Sequence, residues 1–278
     1  MQIHLLQLNS QGEPSHNLSR IRERLSPLAA ATTPQLVILP EACLHMASGN
    51  WAAQAEVEGG PWQTALAQLA GELGLYLLAG TLPVQAEDGR AYAASLLYGP
   101  QGQLLGRYDK IHLFDARVGD GQRYRESRDT CPGEQAVVID TPFGRLGLAV
   151  CYDVRFPALF QRLAEAGAEL IALPSAFTQK TGQAHWQVLV RARAIETQCF
   201  VLAANQWGQH ADGRRTWGQS MVVDPWGRLL AQQNEGEGLI SVKLDPQLIS
   251  QARAAIPVQQ HQRAIDAALL IPNKTEGA

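Results

Sequence analysis

The sequence predicts an α/β fold in a single domain. Apolar runs of strand length alternate with segments of helical period along most of the chain, the pattern of an α/β protein. The order strand, helix, strand occurs in the first half and again in the second, as expected of two αβ layers whose sheets pack face to face with helices outside. Of the 278 residues 46% are hydrophobic and 18% charged, which suits a filled core and excludes wholesale disorder. Periodicity by itself also admits a doubly wound sheet or a barrel.

The elements follow in order. Residues 3–8 open as a strand, 17–31 read as an amphipathic helix through Leu18, Ile21, Leu25 and Leu28, and 36–39 form a buried strand ending at Pro40 and Glu41. Pro61 occupies a favourable first-turn position for a helix over 62–73, and a strand over 75–82 follows. Residues 92–98 and 104–108 flank Gly99-Pro100-Gln101-Gly102, and 219–223 and 229–231 flank Asp224-Pro225-Trp226-Gly227. Proline second and glycine fourth fit a type I turn, so both pairs read as antiparallel hairpins. Between them come strand 146–150, helix 156–166, strand 170–173, helix 184–198 and strand 200–204. The patternless stretches, 115–133 and the segment after about Ala267, are too poor in Gly and Ser for a tether. The expected domain therefore runs over 1–265, with a tail over 266–278.

A net charge of -3 with scattered basic residues excludes the electrostatic footprint of a nucleic-acid binder. Met1 to Leu8 lacks a basic leader, and no apolar run approaches ~18 residues, so a cytoplasmic protein without a membrane partner is expected. Cys43, Cys131, Cys151 and Cys199 show no paired spacing and are expected as free thiols. Cys43 and His45 form no familiar zinc spacing with Cys151 or His185, and neither metal nor cofactor is expected.

Three residues stand beside strand ends. Cys151 lies in Gly147-Leu148-Ala149-Val150-Cys151-Tyr152-Asp153-Val154-Arg155-Phe156-Pro157, where an apolar run stops and a proline-initiated helix begins. A thiol at such a turn is lifted off the sheet edge toward backbone N–H groups that can hold an oxyanion. With a free pKa of about 8.5 it needs a base or a cation. Glu41 and Lys110 could supply them. Read singly, each has an ordinary alternative: a packed cysteine, a capping glutamate, a solvated lysine. Glu126, among Arg123, Arg125 and Arg128, reads alone as a loop charge. His112, two residues from Lys110 on the same strand face, is a rival base.

Together, Leu39-Pro40-Glu41, Gly106-Arg107-Tyr108-Asp109-Lys110-Ile111-His112-Leu113-Phe114-Asp115 and the Cys151 segment resemble the nitrilase superfamily of carbon–nitrogen hydrolases, over about Met1 to Arg263. The resemblance implies a four-layer α-β-β-α sandwich and a Glu, Lys, Cys triad: Glu41 the general base, Lys110 the cation facing the tetrahedral intermediate, Cys151 the nucleophile. Glu126 corresponds to a second glutamate that orients substrate and holds the lysine. The pattern of the family that the chain resembles has no catalytic histidine at the His112 position, which implies Glu41 as the base.

Later stretches, among them Leu173-Pro174-Ser175-Ala176-Phe177 and Thr181-Gly182-Gln183-Ala184-His185-Trp186, resemble the branch acting on deaminated glutathione and 2-oxoglutaramate. Gly182-Gln183 departs from its usual Gly-Pro. The implied activity is hydrolysis of deaminated glutathione to 2-oxoglutarate and cysteinylglycine, with ω-amidase action on 2-oxoglutaramate as the alternative. A non-catalytic partner-binding protein of the same fold is the reading from another class. A substrate with two carboxylates calls for arginines, and Arg155, Arg117, Arg123, Arg125 and Arg128 are the candidates. Tyr152, Arg155, Thr181 and His185 are expected to bind substrate, and a homodimer is expected.

Overall fold

The computed structural model describes residues 1–46 and 51–263, so the expected tail over 266–278 lies outside the described residues. Two sheets form its middle. The first runs Gly238–Lys243, Gln2–Gln7, Gln35–Ile38, Tyr76–Gln85, Ala91–Tyr98, Leu104–Asp109, with Thr130–Cys131 added alongside Ala91–Tyr98. The second runs Leu229–Gln233, Ser220–Val223, Phe200–Ala203, Leu170–Ala172, Gly144–Leu148, Val137–Thr141. Each has a parallel centre of three strands and antiparallel neighbours.

Side-chain alternation sorts the first sheet onto two faces. Ile3, Leu5, Leu36, Ile38, Leu78 and Leu97 share a core with Leu146, Leu170 and Leu202 of the second sheet. Their neighbours Leu6, Val37, Leu77 and Leu96 pack instead with Ile21, Leu25, Leu66 and Leu69 of helices Pro14–Leu25 and Pro61–Leu73. Phe160, Leu163, Trp186 and Val190 of helices Pro157–Glu165 and Gln179–Thr197 belong to the core of the second sheet. The result is the α-β-β-α sandwich. Among the described residues no helix is long and apolar enough to cross a membrane.

Both hairpins are antiparallel, closed by Gly102 N–H to Gly99 O and Gly227 N–H to Asp224 O, each at 2.9 Å. Several boundaries differ from expectation for local reasons. The first helix spans Pro14–Leu25 and gives way to a 3₁₀ turn over Ser26–Ala30, because Pro27 has no N–H to continue an α-helix. The helix expected over 184–198 starts at Gln179 after Thr178, whose side chain accepts from Thr181 N. Gly182 hid that start by its low helix propensity, and it is needed there: a Cβ would lie 2.2 Å from Trp217 Cβ. The strands Val137–Thr141 and Gly238–Lys243 and the ribbon of Trp207–Gln209 with Arg215–Trp217 were not foreseen. Val137–Thr141 carries the short apolar run Ala136-Val137-Val138-Ile139 and is nowhere fully buried.

Candidate active site

The Gln35–Ile38 strand delivers Glu41 through a tightly held turn. Leu39 N–H still bonds Leu78 O at 3.0 Å, but Ala42 takes a left-handed φ of 54°, unusual for a residue with a side chain. Thr81 Oγ1 accepts from Ala42 N at 2.9 Å, and the buried Gln206 donates through Nε2 to Glu41 O at 2.9 Å. Gly80, at an irregularity in the Tyr76–Gln85 strand, makes room: a Cβ there would stand 1.8 Å from Pro40 O. The turn is thereby fixed by the Tyr76–Gln85 strand and by Gln206, which follows the Phe200–Ala203 strand.

Lys110 follows the Leu104–Asp109 strand and is 1% exposed. Its backbone is pinned by Lys110 N–H to Ala93 O at 3.1 Å and Gly133 N–H to Lys110 O at 2.9 Å. Nζ donates to Glu41 Oε1 at 2.8 Å and to Glu126 Oε1 and Oε2 at 2.8 and 2.9 Å. All three ammonium donors therefore end on carboxylates. Burial works against the Lys110 charge, but Glu126 and Glu41 outweigh it and hold its pKa well above the ordinary lysine value. Glu126 begins a 3₁₀ turn and also accepts from Phe114 N at 2.6 Å. Burial, helped by the nearby Glu41, lifts the Glu126 carboxyl above the ordinary range against the pull of Lys110.

Cys151 opens a 3₁₀ turn, Cys151–Arg155, with a left-handed φ of 46°. A non-glycine residue held there marks a local strain that the surroundings must enforce. Cys151 N–H bonds Pro174 O at 2.9 Å, and Val150 and Asp153 cap the turn reciprocally, Val150 N to Asp153 Oδ2 at 2.8 Å and Asp153 N to Val150 O at 3.0 Å. Cys151 and Glu41 line the same cavity, and the Glu41 and Lys110 charges act on the thiol in opposite senses. Burial and then Glu41 push the thiol far up, only partly offset by Lys110, so the resting sulfur is a neutral thiol beside a carboxylate.

Glu41, Lys110, Glu126 and Cys151 all line one cavity of about 370 Å³. Of the arginines considered from sequence, Arg123, Arg125 and Arg128 reach this cavity; Arg117 does not line it. A second segment adds Asp212, Arg214, Arg215 and Thr216 to the lining, and sequence reasoning missed these arginines because the ribbon beside them was not foreseen. Tyr152, Arg155 and Thr181 lie instead on a narrow cleft of about 20 Å³ that shares Cys151, Phe114, Ala176 and Thr178 with the large cavity. The Arg155 guanidinium lies over the Tyr152 and Phe177 rings. His185 lines neither space and sits 3.3 Å from Arg155 through Nδ1. His112 places Nδ1 2.7 Å from Asp153 Oδ1 and stacks on Phe156 at 3.6 Å. All four cysteines are unpaired and buried, and among the described residues no cluster of His, Cys, Asp or Glu could hold a metal ion.

A carbon–nitrogen hydrolase family model matches residues 2–254. The chain belongs to the carbon–nitrogen hydrolase family. A deaminated glutathione amidase of Yersinia enterocolitica is 42% identical to this hydrolase over 277 residues, covering 98% of this chain and 96% of that one. The crystal structure of the C. elegans NitFhit protein superposes with a TM-score of 0.86 at 33% identity, over 94% of this chain and 65% of that one. A Glu→Gln mutant of the amidase from Nesterenkonia sp. AN1, carrying acrylamide joined by Michael addition to its active-site cysteine, gives a TM-score of 0.76 at 26% identity, over 94% and 99% of the two chains.

Proposed function

We propose that this carbon–nitrogen hydrolase cleaves the amide of deaminated glutathione to 2-oxoglutarate and cysteinylglycine through a thioester on Cys151. The observation that carries the chemistry is the convergence of Cys151 and Glu41 on one cavity, beside a Lys110 ammonium bonded to both Glu41 and Glu126 at 2.8 Å. The sulfur attacks the amide carbonyl as Glu41 removes its proton, so no free thiolate has to form in a buried site. Protonating Glu41 leaves the Lys110 charge answered by Glu126 alone, and its field becomes available to the new oxyanion. The Tyr152 backbone N–H adds a donor from the strained turn. Glu41 then gives the proton to the departing nitrogen, and cysteinylglycine leaves as a neutral amine. In the second half Glu41 takes a proton from water as the water oxygen attacks the thioester, and returns it to the sulfur as 2-oxoglutarate departs.

The choice of substrate is supported by the 42% identity to the Yersinia amidase and by the arginines that two separate segments place around the cavity. Arg155, beside the narrow cleft at Cys151, suits the carboxylate of the oxoglutaryl half. We extend the proposal to one domain over 1–265 and to a homodimer. Val188 and Ile195 on helix Gln179–Thr197 and Trp226 on the neighbouring hairpin are exposed, and Arg191 Nε bonds Gly227 O at 2.8 Å across the two elements. A purely monomeric sedimentation profile would overturn the dimer.

Single-turnover hydrolysis of deaminated glutathione and of 2-oxoglutaramate, with mass spectrometry of products and protein, tests the function. Rapid cysteinylglycine release with an acyl adduct on wild type and none on Cys151→Ala is expected. Turnover of 2-oxoglutaramate alone would keep the mechanism and replace the substrate. Turnover by Cys151→Ala would end the mechanism.

A further inference from the structure

Asp153 has no part in the proton transfers above, yet it is fully buried and accepts from four donors. Oδ2 takes Tyr108 OH at 2.7 Å and Val150 N at 2.8 Å; Oδ1 takes His112 N at 3.0 Å and faces His112 Nδ1 at 2.7 Å. Tyr108 and His112 stand two residues before and two after Lys110, Tyr108 within the Leu104–Asp109 strand and His112 past its end. Val150 directly precedes Cys151. The carboxylate therefore touches both flanks of the lysine, which arrives from the first sheet, and the strained turn of the cysteine, which arrives from the second. The Tyr108 hydroxyl is buried against Asp153 and held protonated, its pKa driven far up by burial and then by that charge, so it remains a donor.

We propose that Asp153 is a positioning residue that sets the Lys110 ammonium opposite the Cys151 sulfur by binding both of their backbone supports with one carboxylate. This rests on the roles proposed above for Lys110 and Cys151. No neutral isostere can replace it. An asparagine presents an amide N–H₂ to one of the two sets, and both Val150 N and His112 N are backbone donors that cannot turn to accept. Misplacement of the cation by about 1 Å would lower kcat on the order of 100-fold and leave substrate binding largely intact.

The test compares kcat, KM and thermal midpoint for wild type, Asp153→Asn, Tyr108→Phe, their double variant and Leu25→Ala, a core change in the outer helix layer remote from Cys151. Expected are a kcat loss of about 100-fold for Asp153→Asn and about tenfold for Tyr108→Phe, with KM within about threefold. The double variant should lose no more than Asp153→Asn, because Tyr108 acts through that carboxylate. Leu25→Ala should lower the midpoint more than Tyr108→Phe and keep wild-type kcat. Wild-type kcat in folded Tyr108→Phe, or losses that follow the midpoint across all variants, would overturn the proposal. Should Asp153→Asn fail to fold, Tyr108→Phe against Leu25→Ala decides by itself. Wild-type turnover by Lys110→Met or Cys151→Ala would instead refute the functional reading on which this proposal stands.

Discussion

Glu41 and Glu126 hold the same ammonium at the same 2.8 Å, but the molecule delivers them in opposite ways. Glu41 lies in the turn that follows the fully buried Gln35–Ile38 strand, a turn bonded by Thr81 and Gln206, and its side chain is 11% exposed. Glu126 rides on a three-residue turn within the 115–133 connection, binds Lys110 through both oxygens and is 21% exposed. Of the two carboxylates, Glu41 is the one whose charge pushes up the Cys151 thiol. The contrast separates two tasks. A group that moves a proton needs a fixed direction toward its partner, so it sits on rigid backbone. A group that keeps a cation charged needs closeness more than direction, and a loop can supply it.

Glu41→Gln should break the contrast most severely, lowering kcat by about 10³ to 10⁴ with little change in KM or thermal midpoint. Steady-state rates and a melt read both. Lys110→Met comes next, at about 10² to 10³ in kcat; it also leaves Glu41 and Glu126 without their shared cation, with a loss of about 3 kcal/mol in urea unfolding. Glu126→Gln should cost only about 10- to 100-fold in kcat, the range of a supporting residue. A loss equal to that of Glu41→Gln would erase the distinction between the two carboxylates. The smallest effect is a pH dependence of stability. The folded Glu126 pKa is raised, so on raising pH the unfolded chain sheds this proton first, and stability falls from the unfolded value near 4.3 up to the raised folded value. The slope is at most about 1.4 kcal/mol per pH unit. Urea midpoints against pH should show it in wild type and not in Glu126→Gln.

The α/β alternation was legible in the apolar runs, and strands 36–39 and 170–173 were foreseen to within a residue or so of Gln35–Ile38 and Leu170–Ala172, whereas the choice of a sandwich came from the family resemblance. The residues of the triad stand at strand ends, and their local motifs are contiguous in sequence. What escaped was long-range. Gln206 bonds the Glu41 carbonyl across 165 positions, and nothing in its own neighbourhood announces that role. Arg214 and Arg215 needed a short ribbon with no apolar run to reveal it. Asp153 was visible in the motif only as a carboxylate two residues after the thiol; its four donors become evident once the sheets are packed. His185, expected in the pocket beside the stretch that resembles the deaminated-glutathione branch, lies instead within the Gln179–Thr197 helix with Nδ1 3.3 Å from Arg155.

The Gly238–Lys243 strand completes the first sheet by pairing along the whole of Gln2–Gln7, from Gln2 opposite Lys243 to Gln7 opposite Gly238. On the ribosome, the Gln2–Gln7 strand therefore waits for a partner made more than two hundred residues later, with one row of N–H and C=O groups unpaired throughout. Folding cannot finish half by half. The nascent chain has to keep that edge from foreign strands while the second sheet is still being synthesised, and any chain interrupted before residue 238 carries an unclosed sheet and a ready template for aggregation.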